Sequence, residues 1–220
     1  MSRYRSPRGV GEPVSVNPNR LEAFSDGVFA IAITLLVLDI HVPDPSSTAD
    51  LARELWTQWP SYVAYAVSFL TIGVIWINHH AMIRRLKAVD HGILILNLVL
   101  LLFVGLLPFT TALMAAYLKE GQGDHLAAAI YAGSFLLMSI AFASLNRLIL
   151  FRKAHLMAEP VDEGRRRTII VRGVAGLVPY LLATTLAVVS SYVTLAICAA
   201  IAVFYALPFA SASERTPASA

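Results

Sequence analysis

The sequence predicts an all-α integral membrane protein with six transmembrane helices per chain and both termini in the cytoplasm. Composition is the first reason. Of 220 residues, 57% are hydrophobic and 14% charged, whereas a soluble domain carries about 25% charged residues and uses them to cover its surface. So apolar a composition also excludes a disordered chain. The second reason is where charge is missing: 29 residues from Leu55 to Ile83 and 28 from His91 to Leu118 contain no Asp, Glu, Lys or Arg. Each run exceeds the ~20 residues a helix needs to cross the hydrocarbon core. The third is the segregation of Lys and Arg, described below. The single cysteine, Cys198, excludes an intrachain disulfide framework and a multi-cysteine metal site.

The first span is expected over residues 20–40, as one continuous proline-free helix rich in Leu, Ile, Ala and Val. Only 12 residues separate Asp26 from Asp39, and the span carries Arg20, Glu22, Ser25, Asp26 and Thr34 with it. Such a helix suits a bundle interior or a water-filled path better than lipid. A secretory signal peptide is disfavoured, because Glu12, Glu22 and Asp26 interrupt the region that would have to be basic or apolar. The second and third spans, 61–82 and 91–117, fill the two runs already described. A third uncharged run, His125 to Asn146, places the fourth span at 127–150. The fourth run, 41 residues from Gly173 to Ser213, is too long for one crossing. It accommodates spans at 170–189 and 192–209, with a turn at Ser190 and Ser191.

With six spans, 15 of the 17 basic residues fall on one side and only Arg53 and Lys119 on the other. Basic loops stay cytoplasmic; leaving out the first span would spoil this separation. Residues 1–19 are expected to form a basic mobile tail, 20–210 the six-helix domain and 211–220 a C-terminal tail. The stretch 159–167 is expected as a charged cytoplasmic connector, with Arg165, Arg166 and Arg167 as juxtamembrane anchors. In the 41–60 loop, Trp56 and Trp59 fit an interfacial belt at the outer end of the second span.

Soluble-enzyme signatures are missing: no G-x-x-x-x-G-K, no H-E-x-x-H and no G-x-S-x-G. No catalytic residue, cofactor, nucleic-acid partner or small-molecule substrate is therefore expected. No metal site is expected either, since the adjacent His79 and His80 point about 100° apart on a helix. A TVGYG-type carbonyl filter is also missing. The polar residues inside the spans, Ser25, Asp26, Trp76, Asn78, His79, His80 and Asn97, lie at comparable depth and are able to share a hydrogen-bond network. Residues 27, 31, 34, 35 and 38 step by three and four along one helical stripe. Copies of that stripe around an axis would stack apolar rings.

Two functional classes fit these residues. One is a channel; the other is a proton-coupled secondary transporter that uses Asp26 with His79 or His80 as a relay. The carrier reading lacks the paired Gly- or Pro-interrupted spans of broken-helix transporters.

The segment Arg20, Phe24, Ser25, Asp26 matches R-x-x-x-F-S-D, the first-helix signature of the transmembrane protein 175 family of potassium channels. The continuation from Gly27 to Asp39 and the stretch Trp76, Asn78, His79, His80 also resemble that family. The resemblance implies a homotetramer in a prokaryotic plasma membrane, conducting potassium through a pore lined by four first helices. It places the constriction at Ile31, Leu35 and Leu38 and a selectivity ring at Thr34. Arg20, Phe24, Ser25 and Asp26 become the structural and gating motif, held by Trp and His donors, with the choice between His79 and His80 open.

Overall fold

The computed structural model describes residues 17–44 and 50–207; the expected tails, apart from residues 17–19, and the end of the 192–209 span lie outside them. Its architecture is all-helical. Helix α1 (Pro18–Leu35) opens on the Asn17 side chain, which accepts the Asn19 N–H at 2.9 Å, with Pro18 in the first turn. That pairing satisfies a donor the helix itself cannot, and proline at this position gives up an N–H that had no partner. The expected continuous helix through residue 40 ends earlier: the chain tightens into a 3-10 turn, Leu36–Asp39, a common way for the last turn of a helix to finish.

The 41–60 segment is not simply a loop. It contains the short helix α2 (Leu51–Thr57), capped by Asp50, and α3 (Trp59–Ile83) starts inside it. Helix α4 (His91–Tyr117) is capped by Asp90. Helix α5 (Asp124–Arg147) begins three residues ahead of the expected fourth span and continues as a wider π turn, Leu148–Arg152. A 3-10 turn follows at Ala154–Leu156.

The connector expected at 159–167 is half helix. Asp162 caps α6 (Glu163–Ala175) by accepting the Gly164 and Arg165 N–H groups, so Arg165, Arg166 and Arg167 sit on its first turns. Helix α7 (Leu177–Leu186) follows almost without interruption. The break has a local cause: Pro179 has no N–H to offer the Ala175 carbonyl, and its ring crowds that turn. Together α6 and α7 form a rod of 24 residues that replaces the expected 170–189 span. Ser190 accepts the Val193 N–H and caps α8 (Ser191–Ala206), at the turn the sequence marks.

Among the described residues, five segments are long and apolar enough to cross a membrane: Pro18–Asp39, Trp59–Ile83, His91–Tyr117, Asp124–Arg152 and Glu163–Leu186. Helix α8 is apolar but shorter; at 1.5 Å per residue its 16 residues span about 24 Å, less than the ~30 Å core.

Helix α4 packs against α1, α3 and α5, and α5 in turn against α6, α7 and α8. Phe29, Leu100, Leu107, Met114, Tyr131 and Phe135 are fully buried between them. Small residues on α5, Ala127, Ala128, Ala132 and Ala141, let neighbours approach closely. Hydroxyls tie the helices together at the same level. Ser68 Oγ lies 2.8 Å from Thr111 Oγ1 and 3.1 Å from Tyr131 Oη, and Thr110 Oγ1 lies 3.1 Å from Ser134 Oγ. Such bonds are worth about 0.6–2 kcal/mol each in a membrane.

The bundle has two distinct ends. At one, the 84–90 and 153–158 connectors dock on each other: the Lys87 N–H donates to the Leu156 carbonyl and the Ala158 N–H to the Arg85 carbonyl, both at 2.9 Å. Lys153 pairs there with Asp90. At the other, Lys119 Nζ donates to the Thr57 carbonyl at 2.7 Å and lies over the Trp59 ring, and Ser191 donates to Asp124 at 2.8 Å.

Asp90 makes the first end sensitive to pH. Partial burial pushes its carboxyl up, but the Lys153 ammonium and the Ile93 N–H outweigh that and hold it below the ordinary carboxylate value. Its stabilising effect is therefore complete above the unfolded value of about 3.9 and is lost as pH falls through the lower folded value. Asp90→Ala is expected to lower stability by about 1 kcal/mol at neutral pH. Thermal unfolding in detergent checks this: the gap between variant and parent must shrink on acidification, and a gap independent of pH would count against the assignment.

Candidate functional site

Helix α1 has two faces of opposite use. Leu21, Ser25, Phe29, Ala32 and Leu36 are buried against the bundle. They recur every three or four residues and form one stripe. Phe24, Gly27, Ile31, Thr34, Leu35 and Leu38 point away from it and are exposed. Ile31 is 61% exposed and Leu38 69% exposed, values far from those of core side chains.

Hydrogen bonds fix this rotation. Asn97 on α4 donates from Nδ2 to Ser25 Oγ at 3.0 Å, and Ser25 Oγ donates in turn to the Leu21 carbonyl at 2.8 Å. Asn97 Oδ1 lies 2.7 Å from His79 Nε2 on α3. With Nδ2 committed to Ser25, that amide oxygen only accepts, so the proton sits on His79 Nε2. Ser25, His79 and Asn97 are completely buried, and the His79 ring packs on Phe29 at 5.4 Å. Three helices meet through one chain of polar side chains.

A second, more open set lies beside it. Trp76 Nε1 donates to Asp26 Oδ1 at 2.8 Å, and His80 Nδ1 stands 2.9 Å from Glu22 Oε1. Trp76 and His80 are four residues apart on α3, as are Glu22 and Asp26 on α1, so each pair shares a face.

The sequence-predicted residues thus divide. Ser25, Asp26, Trp76, His79, His80 and Asn97 come together. Asn78 does not: its side chain donates to the Val74 carbonyl of its own helix at 2.8 Å and is exposed. Arg20 and Phe24 are also exposed. The expectation that a histidine holds Asp26 needs correction, since Trp76 holds it alone of the three aromatic neighbours; His79 turns to Asn97 and His80 to Glu22. Glu22 was missed as a site residue. Its signal was available, one helical turn ahead of Asp26.

On the outward face, Thr34 Oγ1 donates to the Ile31 carbonyl at 2.9 Å. The hydroxyl hydrogen is therefore spent, and the oxygen lone pairs remain free to accept.

The family model described as endosomal/lysosomal potassium channel TMEM175 matches residues 20–108, a stretch that contains both polar sets. A potassium channel of Streptomyces collinus is 45% identical over 186 residues, covering 84% of this chain and 90% of that protein. The chain belongs to the TMEM175 family. The crystal structure of a lysosomal potassium-selective TMEM175 homolog from Chamaesiphon minutus superposes with a TM-score of 0.77 at 37% identity, covering 90% of this chain and 98% of that one. The endosomal/lysosomal proton channel TMEM175 of Mus musculus is 34% identical over 138 residues, 56% of this chain and 28% of the mouse protein. The TMEM175 family is one of ion channels, so this chain is a membrane channel protein and not an enzyme.

Asn97 is the joint of the buried set. Asn97→Ala removes the donor to Ser25 Oγ, which keeps its bond to the Leu21 carbonyl, and strands the buried His79 N–H, at a cost of about 1–3 kcal/mol. Thermal unfolding in detergent measures it. A variant as stable as the parent would show that the bond contributes nothing to docking α1.

Proposed function

We propose that the protein is a potassium-permeable cation channel, a homotetramer in the lipid bilayer whose pore is lined by four copies of α1. The observation that carries this reading is the two-faced α1: one side is bonded to α3 and α4, and the other presents Ile31, Leu35 and Leu38 as exposed apolar side chains. A single copy of one helix encloses nothing, so a pore needs several chains.

In this reading Ile31, Leu35 and Leu38 form stacked apolar rings. Ile31 and Leu35 are one turn apart, about 6 Å along the axis, and Leu38 follows at a similar interval through the tighter 3-10 turn. Narrow apolar rings gate by shedding water. They offer no oxygen to replace the hydration shell, so preference among cations falls to pore width and to the Thr34 ring, whose lone pairs are free.

The two ends support the orientation. Arg84, Arg85, Lys87, Arg152 and Lys153 gather where the connectors dock, and basic loops stay cytoplasmic. The chain then crosses six times, α8 being the short last crossing, with residues 20–210 as one channel domain between tails 1–19 and 211–220. A prokaryotic plasma membrane, no cofactor, and neither a nucleic-acid nor a small-molecule partner complete the proposal. The carrier alternative, Asp26 with His79 or His80, has less behind it: among the described residues Asp26 bonds to Trp76, His79 to Asn97, and His80 stands against Glu22, so no hydrogen bond joins Asp26 to either histidine.

Planar-bilayer recording of the purified protein under opposed potassium and sodium gradients tests the reading. Passive, voltage-following potassium current is expected, whereas saturating flux coupled to a proton gradient would favour the carrier. Ile31→Ala is expected to raise leak current, and Ile31→Asn to hold the pore wetted. Thr34→Ala is expected to reduce the preference for potassium over sodium. Unchanged currents in all three variants would remove α1 from the pore.

A further inference from the structure

We infer that Glu22, Asp26 and His80 form a binding site for a divalent transition-metal ion of the zinc type, bridging α1 to α3. One ligand atom from each of the three lies within 4.8 Å of the other two. Zinc bonds to nitrogen and carboxylate oxygen run about 2.0–2.2 Å, so three ligands of one tetrahedral ion lie about 3.3–3.6 Å apart. Rotamer adjustments that bring these atoms together by about 1 Å close the set.

The decisive detail is His80 Nδ1. This nitrogen is shielded from solvent and makes no hydrogen bond, although Glu22 Oε1 is only 2.9 Å away. The carboxylate lies too obliquely to the ring for an N–H···O bond. The in-plane axis of Nδ1 is therefore not aimed at that oxygen, and a cation lying on this axis beside the carboxylate bonds both atoms. Asp26 completes the site in the same way: Trp76 Nε1 occupies Oδ1 and leaves Oδ2 for an ion. An indole N–H that orients a ligating carboxylate plays the part outer partners play in metal sites.

The donor set selects the ion class. Two carboxylates and one imidazole suit zinc and its first-row neighbours, whereas magnesium and calcium prefer oxygen alone. Adjacent histidines suggest no such site in the sequence, since His79 and His80 diverge; the ligands come instead from two helices. All three are partly exposed, so an ion has a route in, and three protein ligands leave a position for water.

Isothermal titration of zinc chloride into the full chain in detergent, with any affinity tag removed, tests the site. Saturable binding of about one ion per chain is expected, weakened about tenfold or more in His80→Ala and in Glu22→Gln. His91→Ala, an exposed histidine near the same end, is expected to bind as the parent does. Cobalt gives the location independently: bound at this site it quenches Trp76, whose ring centre is 5.9 Å from that of His80, and Trp76→Phe removes that component because Trp56 and Trp59 lie towards the opposite end. No saturable zinc binding, or binding equally tight in His80→Ala and Glu22→Gln, overturns the inference; if one variant fails to fold, the other decides. Binding is read without current, so this result stands or falls apart from conduction.

Discussion

The rotation of α1 about its own axis is the constraint on which the rest depends, and the bond between Asn97 and Ser25 sets it. A helix embedded in hydrocarbon gains little from turning one apolar face rather than another toward its neighbours, because lipid tails are as apolar as Leu. Packing alone would leave α1 loosely specified. A buried hydroxyl and amide have far fewer acceptable positions, since each must meet its partner within hydrogen-bond distance or forfeit the cost of leaving water. With Ser25 turned inward, Ile31, Thr34, Leu35 and Leu38 are carried outward by helical geometry alone. His79 extends the constraint to α3, so a single amide side chain registers three helices.

The polar atoms inside the bundle divide by depth and by task. Ser68, Thr110, Thr111, Tyr131 and Ser134 bind helix to helix with neutral hydroxyls. The ionisable side chains Glu22, Asp26, His79 and His80 concentrate instead near the start of α1 and the end of α3. Charge is costly in hydrocarbon, and placing it near a helix end keeps it within reach of water.

Much of the fold was legible because the bilayer writes it in a simple code. Uncharged runs found the helices within a few residues, since lack of charge is what lipid contact requires. Boundaries drifted where caps decide them. Asp162 starts α6 inside a stretch that reads as a polar connector, and only its place before Glu163 and an apolar run betrays the cap. Proline at 179, which interrupts the rod, was visible but its effect depends on the helix having started early. In the site, composition and the family motif named nearly every participant. They did not assign partners, because whether His79 meets Asn97 or Asp26 depends on the mutual rotation of α1, α3 and α4, a tertiary property without a local signature. Glu22 stands one turn ahead of Asp26 in the sequence, but its pairing with His80 depends on the same mutual rotation.

In the proposed homotetramer, the outward stripe of α1 has a consequence for a chain that has not yet met its copies. Ile31, Leu35 and Leu38 are as comfortable against acyl chains as against each other, so a lone protomer carries no exposed-surface penalty that would drive it to associate. In the plane of the membrane, assembly then obeys mass action with a modest driving force, and the ratio of protein to lipid sets how many chains stand alone. Dilution into bilayer would then dismantle the proposed tetramer without unfolding any subunit.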